Sequence, residues 1–276
     1  MLHRVAYIEF ITVNGQIKRL DGIDFEFSIS KSLGTVMNEA TISIFNLSKE
    51  DIEYLTTFTS QWIAYNQRKR IRIFAGYQET AVGLIYDGDI VEALPTLPPD
   101  IILRCKAFSG AYGNSTIISK SITEQISVKD LLTQVSSWTG KEVLDNTTSN
   151  KTVNGFYYTG SVTQLIRQLN EIGGISVYED DGVINAVDSN NIDIGTSIRL
   201  VSENNGMIEI PQPNAIGINV KILLDPTIKI GQVIKVESKS IPACNGLYSI
   251  YEMKHSGALR SNHFYTDIMA RRKSNE

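Results

Sequence analysis

"NEATISIFNLSKEDIEYL", residues Asn38 to Leu55, changes its spacing rule halfway along. Ala40, Ile42 and Ile44 alternate with Thr41 and Ser43, the two-residue period of a half-buried strand. After Asn46-Leu47 the period shifts. Ser48, followed three residues later by Asp51, has the form of a capping pair, in which a hydroxyl and a carboxylate satisfy free amides in the first turn of a helix. Ile52 and Leu55 then share one helical face. The stretch therefore predicts a strand that breaks directly into a short capped helix.

The sequence on either side of it is β. Val5, Tyr7 and Glu9 alternate with Ala6, Ile8 and Phe10, and Asn14-Gly15 supplies a hairpin signal before "QIKRL". In "IDFEFSIS" the side chains of Ile23, Phe25, Phe27 and Ile29 face one way, and those of Asp24, Glu26, Ser28 and Ser30 the other. Downstream come "RIRIFAGY", "VGLIYDGDIVEAL" and "DIILRCKAFS", the last two joined by the Pro-rich "PTLPPD". Links this short cannot carry crossovers, so the strands are expected to be antiparallel. These residues, 1–114, form the first part of the chain.

Residues 115–204 read as α+β. "SVKDLLTQVSSWTG" opens with the capping pair Ser127 and Asp130, carries Val128, Leu131, Leu132, Val135 and Trp138 on one stripe, and stops at Gly140. "SVTQLIRQLNEIGG" repeats that plan with Ser161, Gln164, Leu165, Ile166, Leu169 and Ile172, and stops at Gly173-Gly174. "ISVYEDDGVINAV" predicts a hairpin turning at Asp181-Gly182. Residues 205–276 return to β, with Ile216, Ile218, Val220 and Ile222 alternating, a turn at Asp225-Pro226, and a final pair of strands in "GLYSIYEMKHSG" and "SNHFYTDIMARR". The fold class expected is mostly β with a central α+β part.

Composition narrows the function. At 276 residues and 42% hydrophobic the chain can bury a large core, about 75% of its unfolded surface. No apolar run reaches the length of a membrane span, and the N-terminus lacks the apolar stretch of a secretory signal, so a soluble protein without a membrane anchor, made in a cytoplasm, is expected. Cys105 and Cys244 have no CxxC spacing and are expected as two buried thiols, with a bridge between them left open. Four Asn-x-Ser/Thr matches, at Asn46, Asn114, Asn146 and Asn150, are then chance. The net charge of −4 lacks the basic face of a nucleic-acid binder. Arg68-Lys69-Arg70 with Arg72 reads as a solvated strand face, and Arg271-Arg272-Lys273 as a frayed tail.

Catalytic constellations are sparse. Of three histidines, His255 and His263 flank the last hairpin turn and are expected on its surface, without the spacing of a zinc site. Ser109 in "FSGAYG" is out of frame for a nucleophile elbow, and "AGYQETAVG" runs strand to strand, where a phosphate loop would join a strand to a helix. Two carboxylate groups stand out, Asp87 with Asp89 and Glu179 with Asp180 and Asp181. A glycosidase would need two such groups about 5 to 10 Å apart across a cleft. Solvated turn residues are the simpler reading of both. The "FYY" run at Phe156–Tyr158 is read as strand packing, with stacking on sugars or bases as the alternative. No catalytic, cofactor-binding or metal-ligating residue is predicted.

Taken in order, "NEATISIFNLSKEDIEYL", "RIRIFAGY", "LIYDGDIVEA", "SVKDLLTQV", "LLDPTIKIGQVIKVES" and "NGLYSIYEMKHSGALRSNHFYTDI" resemble the hub, or late control, proteins of contractile phage tail baseplates. The resemblance implies two tube-like antiparallel β-barrel domains, 1–114 and 205–276, flanking a small α+β domain, 115–204. It implies a non-enzymatic homotrimer whose ring of six similar barrels joins a six-fold tail tube to a three-fold central spike and lines a channel for DNA ejection. Tube protein, spike and baseplate wedge or outer baseplate proteins would be its partners, in a virion assembled in the host cytoplasm. A mildly acidic wall suits a conduit along which phosphate slides. The alternatives are a carbohydrate-binding tail-tip adhesin, a cell-wall hydrolase using Asp87, Asp89, Glu179 or Asp181, and the hub of a genome-free contractile particle.

Overall fold

The structure, a computed structural model, describes residues 2–12, 15–33, 37–56, 69–111, 117–148 and 150–273. Asn14 of the first predicted hairpin, Arg68 and the Asn114 sequon lie outside them. The first part of the chain contains β1 (Arg4–Ile11), β2 (Ile17–Leu20), β3 (Phe25–Ser32), β4 (Glu39–Phe45), α1 (Lys49–Leu55), β5 (Arg70–Tyr77), β6 (Ala81–Pro95) and β7 (Ile102–Phe108). The strands pair antiparallel in the order β3-β4-β7-β6-β5-β1-β2. The break after β4 is physical: Asn46 takes a positive φ of 56°, one of two non-glycine residues to do so among the described residues, and turns the chain out of the sheet. Ser48 Oγ then accepts from the Asp51 amide at 3.1 Å, its hydroxyl donates to Asp51 Oδ2 at 2.8 Å, and Leu55 seals the edge of the core.

The middle of the chain holds β8 (Ile117–Ser127), α2 (Val128–Thr139), β9 (Val143–Asn146), β10 (Thr152–Ser161), α3 (Val162–Glu171), β11 (Ile175–Asp180) and β12 (Val183–Asp188). β8 and β10 form a ribbon, and β11-β12-β9 a small sheet in which β9 runs parallel to β12. Both helices start as the sequence predicts. Ser127 Oγ accepts from the Asp130 amide, and Ser161 with Gln164 forms a reciprocal capping box. Gly140 ends α2 in the left-handed region at φ 66°. Leu131, Leu132, Val135, Leu165, Ile166 and Leu169 are buried in a core of their own, each such side chain worth about 1.5–3 kcal/mol. Phe156 stacks on Trp138 at 6.2 Å in that core, while Tyr157 points outward.

The last part contains β13 (Arg199–Ser202), β14 (Gln212–Pro213), β15 (Gly217–Leu223), β16 (Val233–Glu237), β17 (Gly246–Ala258) and β18 (Phe264–Arg272). Its strand order, β14-β15-β18-β17-β16-β13, repeats the order β3-β4-β7-β6-β5-β1 of the first part, each strand in the same chain-order rank. Only the outermost pair differs in direction: β13 runs parallel to β16, whereas β1 is antiparallel to β5. The register break between Ile90 and Glu92 on β6 recurs between Ile250 and Glu252 on β17. The two sheets join where β17, past its pairing with β16, pairs antiparallel with β3 over seven residue pairs from Glu26–Ala258 to Ser32–Glu252. The result is one 13-stranded sheet over two separate cores.

Two sequence readings change here, and the cysteine reading holds. Ile216 precedes β15 and is 51% exposed, because Gly217 rather than Ile216 opens the strand. Arg271 and Arg272 belong to β18, and Lys273 Nζ reaches Asp193 Oδ2 at 2.6 Å, so this tail is tied down. Cys105 and Cys244 are buried thiols in different cores, which settles that they do not meet. Burial pushes the Cys105 thiol up to about 12.

Candidate functional site, a buried ionic junction

Continuing the inward face of β3 past Phe25, Phe27 and Ile29 leads to Lys31, whose side chain is 1% exposed. A lysine there needs anionic partners, since an unpaired buried ammonium is very costly. The tip of the β11–β12 hairpin supplies them. Asp181 and Gly182 take φ 50° and 88°, as an Asp-Gly hairpin turn requires, and this tight tip carries two carboxylates to residues of the first and last parts of the chain. Lys31 Nζ donates to Asp180 Oδ1 at 2.6 Å and to both Asp181 oxygens at 2.9 Å. Lys229, from the last part of the chain, reaches Asp181 Oδ2 at 3.1 Å, and the Asp87 amide of β6 donates to Asp181 Oδ1 at 3.2 Å. One aspartate thus ties all three parts together.

The surrounding shell is equally connected. Asp87 accepts from Arg70 and from Arg72, the latter at 2.9 Å through Nε. Asn38 Nδ2 donates to Asp180 Oδ1 at 3.0 Å and to the Glu179 carbonyl at 3.3 Å, while its amide donates to Ser109 Oγ at 2.7 Å. Lys141 Nζ pairs with Glu179 Oε1 at 2.5 Å. A Cβ on Gly110, which has φ 64°, would lie 2.8 Å from Glu179 Oε2, so only glycine lets the β7 end approach that carboxylate.

The carboxylates read as solvated turn residues are therefore buried: Asp87 is 4%, Glu179 5% and Asp180 8% exposed. Their partners come from up to 150 residues away, Lys31 to Asp181, and local spacing does not say which residues will pair. Arg70 and Arg72 are likewise half-buried clamps on Asp87 rather than a free strand face. Asp89 sits half-buried two residues further on. Burial would push the Asp181 carboxyl up, but the Lys31 and Lys229 ammoniums outweigh it and hold it below the usual carboxylate range. Burial would likewise lower Lys31, and Asp180 and Asp181 raise it instead. A general acid needs the opposite shift, a carboxyl held protonated beside substrate. This cluster holds fixed charges in place.

His255 belongs to the same region. It is buried, not on the surface of the last hairpin, with Nδ1 2.9 Å from Thr266 Oγ1 across the β17–β18 pair. Burial first, then Lys31 and Lys229, push it down to about 3 against the opposing pull of Asp181, so it is a neutral imidazole. His263 lies exposed against the Tyr265 ring at 5.3 Å. On β6, the Tyr86 hydroxyl is buried and has no hydrogen-bond partner among the described residues. Replacing it by Phe removes an unsatisfied group without opening a cavity, so Tyr86→Phe is expected to leave stability unchanged or raise it by about 1 kcal/mol in a denaturant titration. A loss above about 1 kcal/mol would mean the hydroxyl has a partner.

What the fold is built for comes from comparison with known proteins. The family described as baseplate hub gp41 matches residues 9–270, nearly the whole chain. The chain belongs to that family. No curated protein matches the sequence. Among solved structures, the hub fold is similar to the 43 kDa tail protein of prophage MuSo2 from Shewanella oneidensis, with TM-score 0.62, 10% identity and 97% of each chain covered. It is similar to the tail protein from Neisseria meningitidis MC58, with TM-score 0.63, 8% identity and 96% of each chain covered. It also resembles the E. coli c3393 protein, a component of the type VI secretion system, with TM-score 0.62, 12% identity, and 96% of this chain and 77% of that chain covered. At such identities the likeness is one of fold. The hub family is a structural family of the phage baseplate, and the sequence resemblance identified it correctly. No described helix is long and apolar enough to cross a membrane.

Proposed function

We propose that this hub protein works as a non-enzymatic homotrimer that joins a six-fold tail tube to a three-fold central spike and lines the passage between them. The observation that carries this is the repeated strand order, with the two copies already joined edge to edge through β3 and β17. A β3-type edge meeting a β6-type strand is a head-to-tail contact, and head-to-tail contacts generate rings when the rotation closes. Three chains of two repeats give six repeats around one axis, which is the count a six-fold tube requires. The repeats, β1–β7 within 1–114 and β13–β18 within 199–276, then serve as the barrels of a tube-like ring, and residues 115–198 as the part that faces outer baseplate proteins. The ionic junction keeps the three parts of each protomer in fixed relation, as a symmetry adaptor needs under load.

The test is the mass of the purified chain in solution, alone and mixed with its spike, by light scattering. A trimer in either sample is expected, and a monomer in both defeats the proposal. The likeness to a type VI secretion component favours one second reading, the hub of a particle that carries no genome. Nuclease-protected DNA in purified particles containing the chain separates the two.

A further inference from the structure

The sheet ends at β14, and the internal repeat tells what should sit beside it. Aligned on the shared register break, Ile90 corresponds to Ile250, and their partners Ala107 and Ala270 correspond in turn. Ala40 then matches Ile218, and Ile29 on β3 matches Pro213 on β14. Within the chain, Ile29 pairs with His255, five residues past Ile250. The residue five past Ile90 is Pro95. The geometry points to a seam between protomers in which β14 of one chain lies along the end of β6 of the next, Pro213 opposite Pro95, Gln212 opposite Thr96 and Pro211 opposite Leu97. This rests on the trimeric hub reading and names the surfaces that would close its ring.

The side chains at both rims suit a second copy of this chain. Ile208 and Ile210 beside β14 are 40% and 54% exposed, and Leu94 and Leu97 at the end of β6 are 42% and 86% exposed. Apolar side chains concentrated at the two corresponding rims call for cover. Pro211 and Pro213 leave Gln212 the one amide in the stretch Pro211–Pro213, so side-chain packing carries most of the contact, and a lone protomer does not offer a long adhesive edge.

The test is the double variant Pro95→Cys with Pro213→Cys in the full chain. Directly opposed strand residues have Cα atoms about 4.5–5.5 Å apart, within disulfide range. The two sites lie on strands seven positions apart along the sheet, so they cannot bridge within one chain, and buried Cys105 and Cys244 do not compete. Mild oxidation is expected to give a covalently closed trimer on non-reducing gels, with neither single variant forming one. Ile210→Asp and Leu97→Asp, both at exposed positions, should each raise the dissociation concentration of the trimer at least about tenfold, as one lost buried apolar contact of about 1.4 kcal/mol implies. A double variant that is trimeric by mass yet stays uncrosslinked overturns the seam and leaves the hub reading standing. A chain that is monomeric by mass, alone and with its spike, overturns both.

Discussion

Lys31→Met should lower the denaturant midpoint of the chain by the equivalent of about 3–5 kcal/mol, although the methionine fits the space of the lysine stem. The loss does not measure how much the ion pair stabilises. Among the described residues, Asp180 and Asp181, both largely buried, would be left with only Lys229 and backbone or amide donors, and an uncompensated buried carboxylate is what makes one-sided removal of an ion pair so costly. The triple variant Lys31→Met, Asp180→Asn, Asp181→Asn removes the excess charge and should recover most of the midpoint. Because the cluster ties three parts of the chain, the single variant should also expose the β11–β12 hairpin to amide exchange before the helices α2 and α3. If Lys31→Met leaves the midpoint where it was, the junction is not what holds the parts together.

Acid should weaken the protein well above the range of carboxylate titration, and His255 is the reason. In the unfolded chain this imidazole takes up a proton near pH 6.5, while in the fold it stays neutral down to about 3. Between those values the unfolded state binds the extra proton, so stability rises with pH and is lost as pH falls from 6.5 towards 3. Three to four pH units at about 1.4 kcal/mol each come to about 5 kcal/mol for this one side chain. The groups facing it are Lys31 and Lys229, which oppose its protonation, Asp181, which favours it, and Thr266, which bonds its Nδ1. Asp181 acts in a lower window. Its carboxyl is held below the usual range in the fold, so its contribution is complete above about pH 4 and disappears only as pH falls through that depressed value. His255→Gln keeps a polar partner for Thr266 and should flatten the melting-temperature profile between pH 6.5 and 4.5, leaving only the acid limb. A wild-type profile already flat from pH 6.5 to 4.5 would show that the histidine is not buried as described.

Much of this architecture can be read directly along the chain, because strands, caps and tight turns are local problems. Ser48, Ser127 and Ser161 cap the helices the sequence places there, since a hydroxyl three residues before a free amide needs no distant partner. Asp181-Gly182 turns the predicted hairpin because only such a pair accepts two positive φ angles cheaply. The alternation in Phe25, Phe27 and Ile29 marks the buried face of β3 correctly. The same alternation runs on to Lys31, and a lysine on a core-facing position was the available signal that a buried anion waits elsewhere in the chain.

The sequence by itself determined which residues become strands and helices, the family they belong to, and which strand face turns inward, all consequences of spacing and of local backbone chemistry. Tertiary structure alone decided that Glu179, Asp180 and Asp87 are buried ion-pair partners and Asp181 a largely buried one, that His255 is neutral, and that β17 leaves β16 to pair with β3. Those outcomes depend on charges and strand edges separated by up to more than two hundred residues along the chain, which only the folded sheet brings within a few ångströms. Electrostatic environment and edge pairing are properties of the assembled surroundings, and no local pattern encodes them.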